Sequence, residues 1–184
     1  ILAAVAIGAT QRARSNAALA RCLDNLHRVD RAVLECAGDR NRVLPLLEES
    51  PAPGGWWWYK ELVKGHLGLP EVSSTNDLVF ACPQDRGYGD GPGRPQPFCH
   101  SPKHDFTSYV YNGVNLPGVP HVAGQPLDSL RAPARTLLVM EWTAHAPLSW
   151  HRSRTGSANT PFYNNAESVV GFVDGHAALI PIHY

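Results

Sequence analysis

A chain of 184 residues that is 43% hydrophobic and 17% charged can bury one real core and is too apolar for intrinsic disorder. Its formal net charge is zero and its basic residues are scattered, which argues against a nucleic-acid surface or a polybasic membrane patch. Sixteen Gly and sixteen Pro, mostly after residue 50, predict a loop-rich back half with short strands.

The chain opens on the apolar run ILAAVAIGAT and carries no charge before Arg12. As helix the run spans about 15 Å, half a bilayer core, so it reads as the end of a longer hydrophobic segment. From Ile1 to about Ala37 only Gly8 weakens a helix, by about 1 kcal/mol relative to Ala. Leu19, Cys22, Leu23, Leu26, Val29, Val33 and Ala37 recur at helical steps, with Arg21, Asp24, Asn25, Arg28, Asp30 and Arg31 between them. That pattern predicts one apolar stripe on a solvated helix of about 55 Å, stopped by Gly38-Asp39. Residues 1–11, with Ile1, Leu2, Val5 and Ile7, want an apolar partner on every side. Residues 12–37, through Leu19, Leu23, Leu26, Val29 and Val33, want one on a single side.

Residues 39–58 read as a connecting loop. Trp56, Trp57 and Trp58 close it; one or two should anchor the core and the others cover loop backbone. Leu62, Val63 and Leu67 fit a short helix. LVFACP (78–83), TSYVYN (107–112) and RTLLVMEW (135–142) read as strands. Two last apolar runs flank Asp174-Gly175, which predicts a hairpin with a two-residue turn. The expected fold class is α+β, with the helix packed on a small antiparallel sheet and residues 38–184 forming the head of one domain.

This layout resembles the type IV pilin and pseudopilin fold, and particular residues carry the likeness. Cys22-Leu23-Asp24-Asn25-Leu26, Asp39-Arg40-Asn41 and Leu44-Pro45 are similar to the helix end of pilin-like proteins from planctomycetes and verrucomicrobia. Cys82-Pro83-Gln84-Asp85 is similar to their Cys-Pro-Ser-Asp element, and Phe172-Val173-Asp174-Gly175-His176 to their closing Asp-Gly-His element. Two features depart from the family: these residues include no prepilin cleavage site or early-helix acid, and Asn164 stands where many relatives carry His. The resemblance implies an inner-membrane-anchored precursor, handled by pilus or secretion machinery and stacked with its own copies into an extracellular filament. A pseudopilin of a type II secretion-like system shares the fold and is the alternative. The Trp residues motivate a third reading, a secreted glycan-binding or adhesive module.

Four cysteines in a loop-rich chain lean towards an oxidising compartment. Cys22 and Cys36 lie about 21 Å apart along one helix and cannot bond to each other. With both bridges made, two pairings remain, and a single Cys82–Cys99 bridge with two buried thiols is a third option. Cys22 and Cys82 both sit in family-like elements, so the resemblance favours 22–82 with 36–99. Cys82, Cys99, His100 and His104 lack the close Cys pair of a zinc motif, and no metal or other cofactor is expected. Asp85, Asp90 and Asp105 could supply calcium oxygens, but no Asp-x-Asp loop pattern supports it. His145, His151, His176 and His183 read by default as solvated or hydrogen-bonded. No catalytic motif is present in a recognisable context, so no enzyme is expected.

Overall fold

A computed structural model describes residues 2–47, 55–87, 96–114, 118–145, 149–151 and 166–182, with the side chains of 2–6 and 145 left undescribed. Helix α1 (Leu2–Gly38) runs for 37 residues and ends at the expected glycine. The short helix α2 (Tyr59–Val63) continues into a tighter 3-10 turn over Lys64–Leu67. Four strands follow, β1 (Tyr109–Tyr111), β2 (Leu137–Glu141), β3 (Glu167–Phe172) and β4 (Ala177–Pro181). They form one antiparallel sheet in the order β1-β2-β3-β4. The fold is therefore α+β, a long N-terminal helix on a four-stranded antiparallel sheet. Among the described residues no helix is long and apolar enough to cross a membrane.

The helix crosses the sheet over β3, whose residues from Ser168 to Phe172 are all buried. Leu26, Val29 and Val33 are fully buried there, and Leu19 and Leu23 are half-buried against the same core. Leu138, Val139, Val169 and Val170 supply the sheet's side of it. Between Leu137 and Met140 the register against β3 slips by a bulge, which bends β2.

Three expectations need correction. Residues 78–83 are not a strand: Leu78–Phe80 is a single 3-10 turn. Its carbonyls go elsewhere, since Asn25 Nδ2 donates to the oxygens of Leu78 and Ala81, each at 3.0 Å, and Ser108 N–H to that of Phe80 at 2.8 Å. A segment whose carbonyls are taken one by one by side chains and loops has no ladder to join. The hairpin at Asp174-Gly175 exists, but its turn differs. Gly175 N–H bonds to Phe172 O at 2.8 Å and Phe172 N–H to His176 O at 2.9 Å. Gly175 has φ +88°, while Asp174 is not among the positive-φ residues. This is a type I turn closed by a left-handed glycine, which needs one positive φ rather than two. Third, Asn25 and Asp30 do not lie on a solvated helix face; both are buried.

Candidate functional site

The helix divides into two halves by burial. Residues 7–17 are all exposed, about 16 Å of helix, and Ile7 is 59% exposed. Of the four side chains expected to face other subunits, Ile1 lies outside the described residues, and so do the side chains of Leu2 and Val5. Burial begins with Ala18 and Leu19 and is complete at Cys22.

From there the helix is fixed to the body by a short recognition unit. Cys22 is disulfide-bonded to Cys82, with Cα atoms 5.1 Å apart. One turn on, Asn25 takes the two carbonyls named above, so Cys22-x-x-Asn25 clamps residues 78–82 along one face of α1. Farther on, His27 Nδ1 lies 2.6 Å from the carbonyl of Gly175 and ties the helix to the last hairpin. Beside that hairpin Asp174 accepts from His176 Nδ1 at 2.6 Å, and Phe172 stacks on the His176 ring at 4.2 Å.

The Cys-Pro-Gln-Asp element has its own logic. Asp85 accepts from Cys99 N–H at 3.0 Å, Ser108 O–H at 2.8 Å and Gly87 N–H at 2.8 Å. The Cys82 N–H donates in turn to Ser108 Oγ at 2.9 Å. A carboxylate satisfied by three donors organises the loop rather than facing a calcium ion. Asp90 lies outside the described residues, and Asp105 sits near Lys60.

The pairing of Cys36 with Cys99 is not made: both are free and buried. Cys36 stands over α2, its thiol 3.6 Å from Leu62 O, while Cys99 is held beside Asp85 in the loop before β1. Burial, with Asp85 adding to it, pushes the Cys99 thiol up to about 11. The cysteines, histidines and acids gather differently from the zinc-like set considered above. Among the described residues, Cys82 groups with Cys22, Glu141 and His151, with ligand atoms all within 4.8 Å of one another. His100 is exposed, and His104 packs edge-on to Phe98 and Trp142.

Glu141 was invisible to pattern reading except as a charge at the end of an apolar strand. It is fully buried, and its Oε2 accepts from Val169 N–H at 2.9 Å. Its Oε1 lies 2.7 Å from Nε2 of His151, which is also buried rather than solvated.

A second buried charge cluster lies on α2. Lys60 Nζ pairs with Asp77 at 2.8 Å, the side chains 0% and 3% exposed, and also donates to Asp105 O at 2.6 Å. Lys64 binds Glu61 at 2.7 Å and the carbonyl of Glu71. Burial holds the Asp105 carboxyl up at about 6, against the pull of Lys60.

The tryptophans build structure here. Trp56 and Trp57 pack on Trp142 with ring centroids 6.2 and 5.5 Å away, and Trp58 is half-buried. Trp150 is buried, its Nε1–H donating to Gly87 O at 3.3 Å. Neither family models, curated proteins nor solved structures give a match to this chain.

Proposed function

We propose that the chain is a structural subunit that polymerises through its N-terminal helix into an extracellular type IV pilus-like filament. The observation that carries this reading is the contrast along α1. Residues 7–17 are exposed on every face, whereas from Cys22 onward the helix is bonded, clamped and packed to the sheet. The sequence ahead of this exposed stretch is the apolar run ILAAVA, and copies of the chain can cover that run together with the exposed Ile7. Each square ångström removed from water contributes about 25 cal/mol. A contact that joins one copy's helix to a different patch of the next does not close, so it generates an open helical polymer. The partners are then other copies of the chain, preceded by pilus or secretion machinery at the inner membrane.

The test is direct imaging of the purified full chain by electron microscopy, with sedimentation at increasing concentration. Filaments with residues 1–12 in subunit contacts are the expected result. A chain that stays monomeric at high concentration, or filaments that leave residues 1–12 facing solvent, would sink the reading. Deleting the gene separates the two members of this class: loss of surface filaments marks a pilin. Loss of enzyme secretion with filaments intact marks a secretion pseudopilin.

A further inference from the structure

Under the anchored half of α1, four metal-ligating side chains converge from four separate segments. Cys22 comes from α1, Cys82 from the loop after the Leu78–Phe80 turn, Glu141 from the end of β2 and His151 from the segment after Trp150. Cys22 and Glu141 are 0% exposed and Cys82 2%; the His151 side chain is 1% exposed. A tetrahedral zinc centre places its sulfur, nitrogen and oxygen ligands roughly 3.3–3.8 Å apart. All four ligand atoms lie within 4.8 Å of one another, so once the bonded sulfurs part these side chains need only small shifts to reach that spacing.

The donors are also aimed. Val169 N–H holds Oε2 of Glu141 and leaves Oε1 towards His151 Nε2. That nitrogen faces Cys82 Sγ at 3.8 Å. Gln84 N–H points at the same sulfur from 3.4 Å, a dipole that favours a thiolate. The His151 backbone N–H donates to Ser149 Oγ at 3.1 Å, which sets where the ring enters.

In the oxidised chain the two sulfurs are joined to each other. We propose that when this disulfide is reduced, Cys22, Cys82, His151 and Glu141 bind one zinc-class divalent cation in its place. Two sulfurs, an imidazole and one carboxylate suit zinc better than magnesium or calcium, and four protein ligands make a closed, structural site. Reduction by a phosphine adds two electrons to the S–S bond; water supplies the oxygen of the phosphine oxide and the two thiol protons. The cation then displaces both thiol protons to solvent, and the His151 ring proton moves to Nδ1 as Nε2 becomes a ligand. The tether between α1 and the loop at Cys82 is thereby kept in both redox states. This inference stands independently of the filament reading.

The test uses the full chain, reduced with a phosphine under nitrogen and titrated with Co²⁺ and then Zn²⁺. One cobalt per chain, with tetrahedral d–d and thiolate charge-transfer bands displaced by zinc, is expected, and no such bands before reduction. H151A and E141Q should each weaken binding on the order of 100-fold, since loss of outer-shell support alone costs about 10–100-fold. The C36S/C99S double variant should bind unchanged. Zinc should also raise the melting temperature of the reduced chain and not of the oxidised one, a readout that needs no variant. Absence of tetrahedral bands in the reduced chain, their loss in C36S/C99S or their full retention in folded H151A would overturn the proposal. So would a reduced chain whose folding and melting are indifferent to zinc.

Discussion

Asp30 is a costly residue in the core. It is fully buried, both carboxylate oxygens lack a hydrogen-bond partner among the described residues, and burial pushes its carboxyl well above the usual range, with Asp174 adding to it. It fits because β3 has no side chain at Gly171: a Cβ there would land on the Asp30 carboxylate. Gly171→Ala should therefore cost about 2 kcal/mol through overpacking, and much less in an Asp30→Ala background. Urea denaturation of the double-mutant cycle measures that coupling; additive losses would disprove the contact. Asp105 offers a pH test. Its folded value of about 6 stands above the unfolded value of about 3.9, so the native state holds the proton longer. This group's favourable contribution is present below pH 4 and is lost as pH rises through 6. Asp105→Asn should leave stability nearly unchanged at pH 4 and raise it by about 1 kcal/mol at pH 8, allowing for partial exposure. Asparagine also accepts the left-handed backbone found there, with φ +51°.

At the scale of elements, α1 is held by a few long-range ties rather than by its stripe alone. The Cys22–Cys82 bond closes a separation of 60 residues, for which chain entropy gives a stabilisation of about 4 kcal/mol. The metal-free C22S/C82S variant should lose about that much against the oxidised chain, read from urea denaturation with the slope fitted separately for each chain, since the uncrosslinked unfolded state is more expanded. Asn25→Ala removes both donors from the 78–81 carbonyls and should cost about 2 kcal/mol. The 78–83 segment shows why element type was misread there. LVFA has strand-like letters, but its carbonyls are claimed by Asn25 and Ser108 from far along the chain. Propensity has no access to partners 53 and 56 residues away.

For the whole molecule, the proposed filament predicts that the exposed residues 7–17 and the anchored part of α1 separate assembly from folding. Ile7→Asp changes an exposed side chain, so the melting temperature should stay within about 1 °C of the parent. Assembly should be lost, because an aspartate must then be desolvated in the contact between copies. Sedimentation and calorimetry on one sample check both halves of that statement. Equal assembly by the variant would remove Ile7 from the contact.

Much of the architecture was legible because it is local. A 3.6-residue stripe and a glycine set the run and end of α1, short apolar and aromatic runs located β1 and β2, and Asp-Gly located the last turn. The anchoring site was not legible in the same way. Asn25 and Asp30 have polar letters on a helix, and nothing nearby in the chain says that a loop carbonyl or a side-chain-free glycine waits across the core. Cys22 and Cys82 were matched by resemblance, yet Cys36 and Cys99 are unpaired, because a disulfide depends on distance in space. Glu141 and His151 meet those sulfurs only when β2 and the segment after Trp150 are packed. The letters alone were enough for α1, β1, β2 and the last turn, where the choice depends on near neighbours, and not for 78–83, where distant partners claim the carbonyls. Only the tertiary structure shows that Cys36 and Cys99 stay apart and that Asn25, Asp30, Glu141 and His151 are buried, since those depend on residues brought together from afar.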